Sequence, residues 1–375
     1  MASNKVTVAV ATKAGGILLT SDNKRSMWHK SKKFLESEDL NKIIVDSNGR
    51  LFAATLTEGV FRKDPGEIWK PYSRGLNVRK VWSIATDPEN DSVIYAGTQY
   101  GHLFKSEDSA RSWNEVTGLH NAPHRLEWGI DWGFGTTGLT IHTILLDPAI
   151  KNRIYIVASG NGPYRSDDGG ETWGVLKDGV TDSCPVGSRR SYYPGESADP
   201  EERSRKHLEQ VHSCTHKMVL SGKEKGQVFQ QNHCGVFASE NSGDSWTDIS
   251  PGDDLRHGFP IDLVLDHKPN LFVIPASQND CKIHNTCIQG KLRVFRSDSN
   301  GKTWNDSSGM LPEDVHTNVL RDAMTHDDME EPGLYFGTTA GEVFYSPNLG
   351  ESWVQIAAGL GRIQGLTAFS SFRQA

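Results

Sequence analysis

The stretch Ser166-Asp167-Asp168-Gly169-Gly170-Glu171-Thr172-Trp173 constrains this chain more than any other, because its punctuation returns along almost the whole sequence. Asp168 is suited to accept hydrogen bonds from N–H groups of its own loop, and Gly170 to take the left-handed backbone that a side chain resists. Trp173 can then bury a large ring beneath an adjoining strand. The same spacing recurs where Ser106-Glu107-Asp108 leads to Ser112-Trp113 and Ser239-Glu240-Asn241-Ser242-Gly243 to Ser245-Trp246. It recurs again where Ser297-Asp298-Ser299-Asn300-Gly301 leads to Thr303-Trp304 and Ser346-Pro347-Asn348-Leu349-Gly350 to Ser352-Trp353. Two copies are worn: Arg62 replaces the serine ahead of Asp64-Pro65-Gly66-Glu67-Ile68-Trp69, and Arg25 replaces the glycine in the run Ser21 to Trp28. Separations of roughly forty to seventy residues suit one supersecondary unit repeated around a closed array.

These motifs resemble the Asp-box, or BNR, repeat of sialidase-like and sortilin-N-terminal-like β-propellers, and the resemblance covers essentially the whole chain. It implies an all-β fold, a seven-bladed β-propeller with residues 1–375 as one domain. Residues 176–214 would be an inserted loop, and Asp199 to Val211 within it carry the capping aspartate and first-turn proline of a short helix. The box residues themselves are expected to make turns and pack, not to react.

Each unit reads as four short strands, A to D. In the third, Val81–Thr86, Val93–Gly97, His102–Lys105 and Trp113–Val116 alternate with a period of two. The first unit lacks a strand A, because Val6–Thr12 aligns with strand B and Gly16–Thr20 with strand C. An orphan strand A follows the last box, at Arg362–Phe369. The expectation is that this C-terminal strand pairs into the N-terminal blade and fastens the ring, which removes exposed sheet edges.

Length alone would suggest more than one domain, but one repeat running through all 375 residues argues for a single unit. A net charge of −7 with both signs mixed offers no basic footprint for nucleic acid and no polybasic patch for a membrane. The opening Met1 to Val6 has no apolar core and no long apolar run follows, so a cytoplasmic protein is expected. The 5 cysteines, Cys184, Cys214, Cys234, Cys281 and Cys287, are too irregular for a disulfide framework. They read as free thiols, with a local Cys281–Cys287 bridge as the alternative.

Long connections fall at Thr117 to Leu139, Val175 to Cys214, Ile249 to Gly258, Ser277 to Gly290 and Asp306 to Thr317. All are D-to-A or B-to-C segments, so they gather at the end of the propeller away from the boxes, around the mouth of the channel. Each strand A closes on an exit residue, Asp46, Asp87, Asp147, Ser221, Asp266 or Asp327. Five positions earlier stand Asn41, Trp82, His142, His216, Ile261 and Asp322, and Gln364 or Gly365 is the seventh by alignment. His142, His216, Asp322 and the adjacent Arg321 are the catalytic candidates, suited to proton transfer. Asn41, Trp82, Arg125, Glu127, Asp131, Asn232, His233 and Gln364 are the ligand-binding candidates, with Trp128 and Trp132 as aromatic walls. No cofactor is implied. His142, His216 and His233 form an alternative set for a divalent metal.

The resemblance implies a ligand-binding propeller with glycosidase-type hydrolase activity, holding a small molecule or glycan at the channel mouth. The sequence departs from sialidases: their early Arg-Ile-Pro motif is absent, and Tyr335 and Tyr345 have no assigned glutamate partner. Xyloglucan-cleaving enzymes use a cleft between two propellers, and one is read here. Two other readings stay open. One is a non-catalytic module that binds a protein or glycan or assists assembly, and the other is a lyase or isomerase using the His/Asp cluster.

Overall fold

A computed structural model describes residues 5–125, 139–159, 161–180, 214–221, 225–232, 234–252, 255, 258–265, 269–276, 287, 290–313, 315 and 317–370. The helix expected within 199–211 lies outside these, as do most of the insertion and of the connection 277–290.

The chain is a β-propeller. Five sheets contain four antiparallel strands each, and a sixth contains eight. The eight-stranded sheet divides at a single parallel pair, Asp322 with Gly365, into two further groups of four. Innermost strands run Leu40–Val45, Val81–Thr86, Ile141–Leu146, Thr215–Leu220, Gly258–Leu265, Val319–His326 and Ile363–Ser370. Each lies against the next, and the last against the first, so the inner strands close a ring.

Closure takes the form expected of the two chain ends. Lys5–Thr12 pairs on one side with Gly15–Asp22 and on the other with Ile363–Ser370, in register from Val6 opposite Ser370 to Thr12 opposite Ile363. The C-terminal segment thus supplies the innermost strand of the N-terminal blade.

The core lies between blades. Ile44, Phe52 and Val60 of one blade pack with Ile84, Phe104 and Trp113 of the next, and Ile144, Ile156 and Trp173 pack with Tyr95, Leu103 and Leu119. Each box tryptophan therefore fills the seam between its own blade and the preceding one. The indoles of Trp113, Trp246, Trp304 and Trp353 donate across that seam to the carbonyls of Tyr72, Leu176, Ile249 and Ser307 at 2.8, 3.2, 2.6 and 2.7 Å. Trp173 instead bonds the Gly170 carbonyl of its own turn at 3.0 Å.

The turn works as its residue types dictate. Asp168 Oδ1 accepts from Thr172 N–H at 2.9 Å, its Oδ2 accepts from the Thr172 hydroxyl at 2.6 Å, and Ser166 Oγ accepts from Gly170 N–H at 2.8 Å. Gly170 has φ +105°, and a Cβ there would lie 2.6 Å from Val116 Cγ1 of the neighbouring blade. Equivalent bonds recur at Asp108, Asn241, Ser299 and Asn348. The exit aspartates behave alike: Asp46, Asp87 and Asp147 each accept the N–H two residues on, at 3.0, 2.9 and 2.9 Å.

The thiol expectation needs correcting. Cys234 is buried and disulfide-bonded. Cys287 is a free thiol donating to the Val315 carbonyl at 2.8 Å, so it is not bridged to Cys281.

Candidate functional site

A β-bulge interrupts every innermost strand near its start. In five of them a single residue is skipped by the pairing, and those residues are Asn41, Trp82, His142, His216 and Gln364. The strand Val319–His326 has a wider irregularity spanning Arg321 and Asp322, and Gly258–Leu265 has one just before Ile261. A bulge breaks strict alternation, so neighbouring residues of one strand can both address the channel. Because strands A to D alternate in direction, this end of the ring is also where B-to-C turns and D-to-A connections lie.

Asp322 is the focus. It is buried, with Lys217 Nζ in direct contact and Lys42 Nζ 3.5 Å from the same oxygen, Oδ1. Burial alone would raise its pKa, but Lys217 and Lys42 overcome this and hold the carboxyl well below the usual range. Lys42 is itself lowered, by burial first and by Lys217, against the pull of Asp322. Burial lowers Arg321, which Asp322 partly offsets. His142 is driven well below its ordinary value by burial, then by Arg321 and Lys217, so its imidazole is neutral at neutral pH.

Lys42, Lys217, Arg321, Asp322 and a neutral His142 therefore share this part of the channel. Solvent still reaches it, since the side chains of Lys42 and Lys217 keep 20% and 13% of their surface. Asp322 Oδ2, Arg321 Nε and Trp82 Nε1 are buried with no hydrogen-bond partner in the described protein. Gly365 permits the close approach of strands here: a Cβ on it would sit 2.6 Å from the Asn41 carbonyl oxygen and 3.5 Å from Asp322 Cβ.

Asp322, Arg321 and His142 are thus brought together. The other candidates are placed differently. His216 turns Nδ1 onto the Gly258 carbonyl in a short contact. The amide of Asn41 donates to the Trp82 carbonyl, and Gln364 donates to Asp39 and to the Leu40 carbonyl. Asn232 Oδ1 accepts from Cys234 N–H and Gly235 N–H at 2.7 and 2.9 Å and so shapes its own turn. Arg125 approaches the carbonyls of Tyr100 and Gly101, 3.5 and 3.4 Å away, on the rim. Tyr335 and Tyr345 stack with centroids 5.1 Å apart beneath the N-terminal blade. Glu127, Trp128, Asp131, Trp132 and His233 lie outside the described residues.

Lys42 and Lys217 escaped the sequence reading. They follow the counted positions Asn41 and His216 by one residue, where unbroken alternation would send them the other way. A lysine within an innermost strand is the signal that could have found them, because lysine is seldom buried without a partner.

No protein-family model matches the chain. Among curated sequences it is similar to a xyloglucanase of Hypocrea jecorina, 22% identical over 338 residues covering 83% of this chain and 37% of the relative. It is also similar to xyloglucanase Xgh74A of Acetivibrio thermocellus, 25% identical over 316 residues covering 76% and 32%. The chain thus spans about a third of the length of these relatives. Solved structures sharing the fold include an ancestral GH74 enzyme, with TM-score 0.54 and 16% identity over 88% of this chain and 38% of that one. The GH74 xyloglucanase from Xanthomonas campestris gives TM-score 0.53 and 12% identity, covering 84% and 45%. YCF48 from Cyanidioschyzon merolae gives 0.50 and 12%, covering 98% and 96%. At these identities the structural likenesses speak for the propeller alone.

Proposed function

We propose that this chain is a ligand-binding propeller of the sialidase-like, Asp-box type, and that its ligand is a saccharide carrying an acidic group. The observation that carries the reading is the gathering of positive charge at one end of the channel, where Lys42, Lys217 and Arg321 surround the carboxylate of Asp322. Cations focused by low-dielectric walls attract an anion far more strongly than they would on an open surface. The indole N–H of Trp82, with no hydrogen-bond partner among the described residues, is a donor on another of the innermost strands. The saccharide part of the proposal rests on the distant sequence likeness to xyloglucanases.

Calorimetric titration with neutral xyloglucan oligosaccharides and with uronate- or sialate-bearing oligosaccharides tests it. Acidic sugars should bind at least tenfold more tightly, and Lys217→Met should remove that preference. Equal affinity for neutral and acidic sugars, or binding of neither, would overturn the reading.

The same sequence likeness favours a second reading, a glycosidase-type hydrolase. Asp322, held ionised by its lysines, is suited to be a nucleophile or to stabilise developing positive charge and not to donate a proton. Release of reducing ends from xyloglucan that is abolished in Asp322→Asn would support hydrolysis. Binding without release would leave a glycan-binding module.

A further inference from the structure

Away from the channel, three metal-ligating side chains converge on the rim of one blade. His102 stands just before the strand Leu103–Ser106, Glu115 in the strand Asn114–Glu115, and His120 in the 3₁₀ helix Thr117–Asn121. His102 Nδ1 lies 2.5 Å and His120 Nε2 lies 2.8 Å from the same oxygen, Glu115 Oε1. The three donor atoms all fall within 4.8 Å of one another, and no other such group of three occurs among the described residues.

The backbone holds each ligand independently. Lys105 pairs with Asn114 and Phe104 with Glu115, which sets the carboxylate on the strand beside His102. Thr98 N–H donates to the His102 carbonyl at 2.9 Å, and Leu119 packs into the seam between two blades, anchoring the helical turn that carries His120. The rings of His102 and His120 stand nearly perpendicular, at 87°, with centroids 6.1 Å apart, so each directs a nitrogen to the carboxylate from a different side. Glu115 is held ionised: burial would raise it, but His102 and His120 outweigh that and lower it.

We infer that His102, Glu115 and His120 form a site for a divalent transition metal of the zinc class. Two imidazole nitrogens and one carboxylate oxygen are a donor set zinc favours, at about 2.0–2.2 Å from each atom. Seating an ion requires the donors to spread from their present 2.5 and 2.8 Å, a movement the exposed His120 can make, and water completes the shell on its open side. Arg125 lies close enough to Glu115 to interact with it electrostatically. The ion would clip the outermost strand and the helical turn after it to the B-to-C turn of the same blade.

The test uses the full chain stripped with EDTA and titrated with zinc chloride against a fluorescent chelator at pH 7.5. The expected result is one equivalent bound. His120→Asn should weaken binding roughly tenfold or more, as should Glu115→Gln. Cobalt in place of zinc should give visible absorption in the wild type and lose it in His120→Asn. His120 is exposed, so that variant keeps the fold, and its far-ultraviolet dichroism is the check. Absence of a bound equivalent at pH 7.5, or equal zinc affinity in wild type and His120→Asn, would overturn the assignment.

Discussion

Arg25 and Asp327, 302 residues apart, meet in a two-pronged ion pair: Arg25 Nη2 lies 2.6 Å from Asp327 Oδ1 and Nε 2.9 Å from Oδ2. The Asp327 carboxylate is fully buried, takes the Tyr335 hydroxyl at 2.7 Å as well, and Arg25 donates further to the Glu331 carbonyl. The arginine belongs to the N-terminal blade and the aspartate to the blade beside it across the closure. Arg25 occupies the position where the other copies of the repeated turn carry glycine, or Ala110 in one, and it keeps the left-handed backbone, φ +55°. What reads in sequence as decay of the motif is a replacement that fastens the ring.

Removing one partner leaves the other charge buried and alone. Asp327→Asn should therefore destabilise the protein by about 3–5 kcal/mol, and Arg25→Ala by a similar amount. Tyr335→Phe keeps the ion pair and should cost only about 1 kcal/mol. Urea unfolding of the three variants measures the order; a Tyr335→Phe loss equal to that of Asp327→Asn would contradict it.

The same logic applies in the channel. Asp322→Asn leaves Lys42 and Lys217 facing each other without their anion and should lower stability by about 2–4 kcal/mol at neutral pH. Because the folded carboxyl titrates below its unfolded value of 3.8, its contribution is present above that pH and fades as pH falls. Wild type and variant should differ throughout the neutral range and converge only in strong acid. Thermal melts from pH 8 to pH 2 follow the plateau and the start of the convergence.

His326 gives the opposite sign. Its Nδ1 lies 3.0 Å from Asp262 Oδ2, and although burial lowers its pKa, Asp262 raises it further, to a net value above 6.5. The contribution is fully present below about pH 6.5 and is lost as pH rises through the folded value, amounting to about 1 kcal/mol or less for a partly exposed pair. Asp262→Asn should melt below the wild type at pH 6 and approach it at pH 9. A gap that does not narrow would rule the pair out as the cause.

Trp353 should matter through its ring more than its N–H. It is almost fully buried beside Phe336 and donates to the Ser307 carbonyl of the preceding blade. Trp353→Ala should cost about 3–5 kcal/mol, and Trp353→Phe about half as much or less, in equilibrium unfolding.

The sequence made the architecture legible because the propeller repeats its punctuation. Strand A of the third unit was readable to the residue, Val81–Thr86, since hydrophobic alternation and an exit aspartate bracket it. The candidate site was legible in part. Counting back from the exit residues reached Asp322, Arg321 and His142, which do converge, because the bulge holds one register in blade after blade. It also reached His216, Asn41 and Gln364, whose polar ends bond to neighbouring strands, and single-sequence reasoning has no way to tell a wall residue from a facing one. Lys42 and Lys217 were missed for the reason that gives them their role: the bulge breaks the alternation from which their side would have been counted. Arg125 was counted with His142 by nearness in sequence, whereas it approaches the carbonyls of another turn.

The composite N-terminal blade also sets a timetable for biosynthesis. Lys5–Thr12 is made before the other blades of the ring, yet its inner neighbour, Ile363–Ser370, is made after them. Every intervening blade can form as it emerges, but the circle stays an open arc with one unsatisfied edge until Ile363–Ser370 has followed. A nascent chain stalled ahead of that strand would thus display the raw edge to chaperones or to another copy, and completion waits on one segment.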